Sequence, residues 1–230
     1  MNGWIIPPPR EPVKSREELE RERRLKVDWL IKNGYLHSES IRQAMLRVAR
    51  EDFMPFLYRD YAYEEVPFPL PGEQATISCP HSYPLFYEPL GLERGQKFFE
   101  IGLGSGYGTA LAREIVGPEG AVVSVEIDPH PFAFARENLE RAGYRDIILI
   151  LGDGGLGHPE SAPYDRICIT AACPEILSPL IAQMKEGGRL IAPVREDGTQ
   201  NLILLEKGKE GIRRETVCQV LYVPLRGIYG

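Results

Sequence analysis

The sequence predicts an α/β fold: a mostly parallel sheet, preceded by helices and closed by an antiparallel C-terminal hairpin. Three observations carry this. From residue 97 onward, apolar β-rich runs alternate with helical patterns, the signature of strands joined by crossover helices. The first of these runs, Phe98-Phe99-Glu100-Ile101, passes directly into alternate glycines and then a helix. After residue 187 the alternation stops, and two β-rich segments, 201–206 and 212–223, flank a Lys207-Gly208-Lys209 turn.

The elements follow in order. Pro7-Pro8-Pro9 is a stiff, extended lead-in. Ser15 with Glu18 forms a capping-box signature that opens a charged helix to about Lys32, closed by Asn33-Gly34. A second helix over residues 40–50 carries Ile41, Met45 and Val48 on one face. An aromatic and proline-rich connector, 53–71, leads into Gly72-Glu73-Gln74-Ala75-Thr76-Ile77-Ser78-Cys79-Pro80-His81. Beyond it, β-rich runs are expected over 98–101, 121–128, 146–151, 164–170 and 187–194.

The stretch Glu100-Ile101-Gly102-Leu103-Gly104-Ser105-Gly106-Tyr107-Gly108 marks a small-molecule edge, because glycine lets a ligand approach the main chain without a Cβ in the way. A dinucleotide fingerprint, G-x-G-x-x-G, fails: Tyr107 or Thr109 stands where its last glycine belongs. No lysine follows, so a phosphate-binding loop fails too. What remains is E-x-G-x-G-x-G, an acidic residue before glycines. It suits a cofactor with an amino acid group and a nucleoside but no pyrophosphate, a description S-adenosyl-L-methionine fits. A glycine-rich turn without a ligand is the plainer alternative.

A second acidic signal lies about twenty residues on, where the run from Ala121 ends in Glu126-Ile127-Asp128. In doubly wound folds a carboxylate at this strand end accepts from ribose hydroxyls, which assigns Glu126. Asp128 competes for the role but suits the N-cap of a helix whose first turn holds Pro129 and Pro131. Asp153, in Gly152-Asp153-Gly154-Gly155, could accept from an adenine amino group or be a turn aspartate. The fourth strand ends in Thr170-Ala171-Ala172, leaving room for a substrate.

Composition bounds the rest. The 230 residues, 43% hydrophobic, can bury one sizeable core. A net charge of −6 and a pI near 5.4 disfavour a nucleic-acid partner. The basic run Arg21-Glu22-Arg23-Arg24-Leu25-Lys26 is interleaved with glutamate and reads as a solvated helix face. No run approaches a membrane span, and residues 1–9 lack a basic start with a long apolar core, so a cytoplasmic chain is expected. Cys79, Cys168, Cys173 and Cys218 show no C-x-x-C pairing, so buried thiols are expected rather than a zinc site or a disulfide scaffold. Four Asn and six Gln beside 26% charged residues and twenty Pro hint at a thermophilic origin.

Several separate motifs together resemble the protein-L-isoaspartate (D-aspartate) O-methyltransferase family. They are Ala75-Thr76-Ile77-Ser78-Cys79-Pro80-His81, the Glu100 to Tyr107 glycine segment, Gly152-Asp153-Gly154, Ala162-Pro163-Tyr164-Asp165 and Tyr222-Val223-Pro224-Leu225. Arg50-Glu51-Asp52-Phe53-Met54-Pro55 and Asp60-Tyr61-Ala62-Tyr63 match the family's connector. The resemblance runs from about Ile41 to the C-terminus, which sets residues 1–36 apart as a helical N-terminal extension and 37–230 as the methyltransferase domain.

The resemblance implies a doubly wound, Rossmann-like sheet with a reversed terminal hairpin and S-adenosyl-L-methionine as methyl donor. The acceptor it implies is the α-carboxylate of an isoaspartyl residue in a peptide or protein, with repair following through a succinimide. It carries the active-site role onto Ser78, places Thr76, Ile77 and Thr170 against the substrate, and gives the backbone of Val223, Pro224 and Leu225 to pairing with the substrate peptide, as in strand addition. Cofactor contacts fall on Glu100, Gly102, Gly104, Ser105, Gly106, Tyr107, Glu126, Ile127, Asp153 and Gly154. The expected chain is monomeric and needs no metal, nucleic acid or membrane. Ser82-Tyr83-Pro84 departs from the family's usual residues just after His81, so the local pocket shape should differ.

Chemistry agrees. A carboxylate with a pKa near about 4 is ionised at neutral pH and needs no general base to attack the methyl of a sulfonium. Positioning and exclusion of water must then do the work, with no Ser-His-Asp triad. His81 could be read as a base or as a structural histidine. A cytosine methyltransferase working through Cys79 would need an activated thiolate and a basic groove, and this acidic chain offers neither clearly. Two further alternatives are a catalytically silent cofactor- and peptide-binding module and a small-molecule carboxyl methyltransferase.

Overall fold

The computed structural model describes residues 5–230, so the first four residues of the 1–9 segment lie outside the described residues. A seven-stranded sheet runs in the order β5-β4-β3-β6-β7-β8-β9. Its strands are β3 (Lys97–Ile101), β4 (Ala121–Glu126), β5 (Ile148–Leu151), β6 (Tyr164–Ile169), β7 (Met184–Glu196), β8 (Thr199–Gly208) and β9 (Gly211–Gln219). The pairs from β5 to β7 are parallel, and β7–β8 and β8–β9 are antiparallel. Chain order runs outward from β3 to β5 and then returns to β6 on the other side of β3. The carboxyl ends of β3 and β6 are therefore a topological switch point, where α/β sheets bind ligands.

Both faces of the central strands are buried, which explains their uninterrupted apolar runs. Along β3, Phe98 joins one core with α4 (Tyr107–Val116), while Phe99 and Ile101 join the other with Leu180 of α6 (Ser178–Ala182) and Leu177 just before it. Helix α5 (Pro129–Arg141) lies beside α4, capped by Asp128 as expected. β9 is an exposed edge strand carrying Arg213, Arg214 and Glu215, charges that discourage pairing with another chain.

Helix α1 (Arg16–Lys32) has the predicted capping box, and Leu19, Val27 and Leu30 enter the same core as Phe98. Helix α2 (Glu39–Arg47) stops short of residue 50, because Val48 and Ala49 turn extended and Arg50–Phe53 forms a 3-10 turn that carries Arg50 inward. The connector holds a second 3-10 turn, Phe56–Tyr61, and a two-stranded ladder, β1 (Phe68–Pro69) with β2 (Thr76–Ile77), which ends at α3 (Ser82–Leu90).

Boundaries shift elsewhere. The hairpin turn is Lys209-Glu210, since Gly208 pairs with Gly211. β9 ends at Gln219 instead of 223, because the side-chain amide of Gln200 takes both backbone groups of Tyr222, accepting from its N–H at 2.6 Å and donating to its carbonyl at 3.0 Å. All four cysteines are free, with Cys79, Cys168 and Cys173 buried and Cys218 only half-buried. Among the described residues no helix is long and apolar enough to cross a membrane.

Candidate active site

The ends of β3 and β6 nearly touch. A Cβ on Gly102, whose φ is +96°, would lie 2.2 Å from the Thr170 hydroxyl, so only glycine fits there. Thr170 donates that hydroxyl to the Gly102 carbonyl at 2.8 Å, which fixes the bend of the glycine turn. The turn opens a cavity whose empty space, open solvent at its mouth included, is about 990 Å³. The strand ends, the β2 loop and the segment after β9 line it together.

Alternation along β3 sends Glu100 toward α4. Its carboxylate, 2% exposed, accepts from the Ser124 hydroxyl at 2.7 Å and from the Thr109 hydroxyl. Burial pushes its carboxyl up to about 7, against the pull of those two hydroxyls. No cationic side chain bonds this carboxylate among the described residues, and it opens on the cavity. Such a site favours a cationic group brought by a ligand.

At the end of β4, Glu126 accepts from the N–H of Gly104 and of Asp128, at 3.1 Å each. A carboxylate accepts about four bonds, so capacity remains for a pair of hydroxyls. Asp128 caps α5 through the N–H of His130 at 2.9 Å and pairs with Arg226 at 2.9 Å. These bonds draw its carboxyl down to about 2.

On the opposite wall, β2 presents Thr76, Ile77 and then Ser78 to the cavity. The Ser78 hydroxyl takes part in no hydrogen bond among the described residues, and its carbonyl accepts from Arg50 at 2.6 Å. Arg50 is 1% exposed and also donates to the Ala62 carbonyl at 2.6 Å, while its guanidinium faces the rings of Tyr83 and Tyr107. Tyr83, from the segment that departs from the family pattern, stands against Gly108 and Tyr107 as part of the cavity wall.

Most of the expected residues meet here: Glu100, Gly102, Gly104, Ser105, Glu126, Ile127 and Gly154, with Thr76, Ile77, Ser78, Thr170, Val223, Pro224 and Leu225. Gly154 must be glycine because a Cβ would lie 2.6 Å from Ile101 and Val125.

Three do not line the cavity. Gly106 faces Leu139 of α5, so the third glycine serves helix packing. The Tyr107 ring is buried against Phe53 and Tyr83. Asp153 lies outside the cavity lining and accepts from Gly155 at 2.8 Å and from Ile228 at 2.7 Å, one bond to each oxygen, which makes it a turn aspartate that keeps lone pairs for a ligand. Strand addition also narrows. The Val223 carbonyl accepts from Ala172 at 2.8 Å and the Leu225 N–H donates to Ala172 at 2.9 Å, leaving the Pro224 carbonyl on the far side. Thr170 likewise has its proton on Gly102. His81 is turned away, its Nδ1 2.6 Å from Glu65.

Tyr222, Arg226 and Leu103 also line the site, and sequence reasoning gives none of them a role there. Tyr222 opens the Tyr222-Val223-Pro224-Leu225 motif, Arg226 follows it by one residue, and Leu103 stands between two glycines of the turn. The signal was adjacency alone.

S-adenosyl-L-methionine fits these residues: a buried carboxylate without a cation, a second carboxylate with lone pairs to spare, and a main chain stripped of Cβ atoms between them. The model of the family "Protein-L-isoaspartate(D-aspartate) O-methyltransferase (PCMT)" matches residues 21–229, beginning inside α1 and upstream of the first recognised motif. The chain is 45% identical over 229 residues to the protein-L-isoaspartate O-methyltransferase of Hyperthermus butylicus, covering 95% of each. It is 46% identical over 193 residues to that of Methanothrix thermoacetophila, covering 84% of this chain and 90% of the relative. A solved protein-L-isoaspartate O-methyltransferase superposes with a TM-score of 0.83 at 34% identity, over 90% of this chain and 67% of that one.

Proposed function

The chain belongs to the protein-L-isoaspartate(D-aspartate) O-methyltransferase family, and from that premise we propose how its residues divide the work of an S-adenosyl-L-methionine-dependent carboxyl methyltransferase acting on isoaspartyl residues of proteins. One observation carries the reading: Glu100, Glu126 and Ser78 open on a single cavity from three separate elements.

When bound, the cofactor supplies a methyl group on a sulfonium centre. Glu100 holds its ammonium, and that cation offsets the cost of keeping the carboxylate ionised in a buried place. Glu126 accepts from the ribose hydroxyls, with Ile127 beside the nucleoside. Gly102 and Gly104 let the main chain close on the methionine portion, with Ser105 and Gly154 completing the wall. Ser78 donates its hydroxyl to one oxygen of the acceptor carboxylate, so that the other oxygen points in line at the methyl. The acceptor arrives ionised, so no residue need remove a proton. Tyr83 and Tyr222 exclude water, and Thr76, Ile77 and the Pro224 carbonyl grip the peptide. The ester, once released, closes to a succinimide as the next backbone nitrogen of the peptide attacks it and methanol leaves, and water then opens that ring without further help from the enzyme.

Residues 37–230 form the methyltransferase domain in this reading. The preceding 36 residues are a helical extension built onto its core, and the chain acts as a monomer in the cytoplasm.

Competition tests the acceptor class. An isoaspartyl peptide should be methylated and should outcompete a free dicarboxylic acid carrying the same carboxylates. Equal methylation of the free acid would make this a small-molecule enzyme instead.

A further inference from the structure

Outside the cavity, Glu65, Cys79 and His81 form a mixed cluster in which one donor atom from each lies within 4.8 Å of the other two. Glu65 precedes β1, while Cys79 and His81 flank Pro80 on the loop between β2 and α3. The Cys79 sulfur is on the inside, 5% exposed, and Glu65 and His81 are partly open to solvent. Glu65 Oε2 lies 2.6 Å from His81 Nδ1. Its other oxygen takes Lys26 of α1 at 3.1 Å. The Tyr35 ring lies 5.3 Å from the imidazole.

We propose that Glu65, Cys79 and His81 bind a divalent transition-metal ion of the zinc class, with a solvent molecule as fourth ligand. Sulfur, imidazole nitrogen and one carboxylate oxygen are the donors such ions take, whereas magnesium and calcium want oxygen throughout. Donors bonded to zinc at about 2.0–2.3 Å stand roughly 3.3–3.8 Å apart in a tetrahedron. The present spacing of up to 4.8 Å would have to close by about 1 Å as the ion binds. On binding, the Cys79 thiol loses its proton to solvent and His81 binds as a neutral ring. The thiolate and the Glu65 carboxylate then balance the two charges of the ion. Lys26 keeps its own oxygen of Glu65. The ligands come from residues 65, 79 and 81, a spacing without C-x-x-C pairs. The ion would pin the loop one residue past Ser78, whose carbonyl Arg50 already holds.

The test reads metal rather than methyl transfer, so it stands apart from the functional reading. The full chain, stripped with chelator, is titrated with cobalt(II) and then zinc(II). One cobalt per chain is expected, with a thiolate-to-cobalt charge-transfer band and the visible bands of a four-coordinate site, both displaced by zinc. Cys79→Ser should lose the charge-transfer band, and His81→Gln should weaken binding. No such band in the unaltered chain, or a band surviving Cys79→Ser, overturns the proposal. Should Cys79→Ser misfold, the partly exposed His81→Gln decides: undiminished cobalt binding there overturns it equally.

Discussion

At Ser78, one hydroxyl without a protein partner faces a cavity whose other groups suit a cofactor. Ser78→Ala should lower the rate of methyl transfer by about 5–150-fold, the equivalent of roughly 1–3 kcal/mol for a hydrogen bond to charge. Cofactor affinity, read by calorimetry, should be unchanged. Glu100 makes a second prediction, through pH. Its carboxyl is raised from an ordinary 4.5 to about 7 in the ligand-free fold, so between these values the folded chain holds a proton that the unfolded chain releases. Its contribution to stability is therefore complete below about 4.5 and is lost as pH rises through about 7. Glu100→Gln removes that loss: thermal melts of the ligand-free protein should show the variant gaining on the parent between pH 5 and 8, while losing cofactor binding. A parent and variant with parallel pH profiles would mean that Glu100 is not held protonated.

At the scale of elements, the contact between the β3 and β6 ends is a steric statement. Gly102→Ala drives a Cβ into Thr170 at a positive φ, and should destabilise the fold by about 1–3 kcal/mol and abolish cofactor binding. Adding Thr170→Ala removes the clash but leaves the strained φ, so denaturant titration should show partial rescue. Arg50 ties the connector to the Ser78 loop, and Arg50→Met leaves the buried Ala62 carbonyl and the half-buried Ser78 carbonyl without that donor. A loss of about 2–5 kcal/mol is expected, measured the same way. These elements were unequally legible. β3 and β4 were readable because their apolar runs are buried on both faces, and α1 because Ser15 and Glu18 cap it reciprocally. The end of β9 was not, because a side-chain amide from Gln200 replaces the ladder there. Nor does a glycine spacing tell which way a missing Cβ would have pointed: Gly102 faces the strand end, Gly106 a helix. That Asp153 also holds an N–H of the C-terminal segment is not legible in the sequence, because that partner is 75 residues away.

At the scale of the whole molecule, the seven-stranded sheet brings carboxylates from β3 and β4 to one cavity, the separate β1–β2 ladder brings it a hydroxyl, and the segment after β9 closes its side. Most of that convergence could be read from strand-end residues, since parallel strands deliver their carboxyl ends to one edge. The wall formed by Tyr83 and Tyr222 could not, because it depends on how α3 and the terminal segment pack. The central claim is that this cavity transfers methyl to isoaspartyl carboxylates under the positioning of Ser78. The most direct measurement is transfer from labelled S-adenosyl-L-methionine to paired peptides differing only in isoaspartyl or aspartyl linkage, for the parent and for Ser78→Ala. Label on the isoaspartyl peptide alone, sharply reduced in the variant, is the predicted result. Equal labelling of both peptides, or a variant as active as the parent, would contradict it.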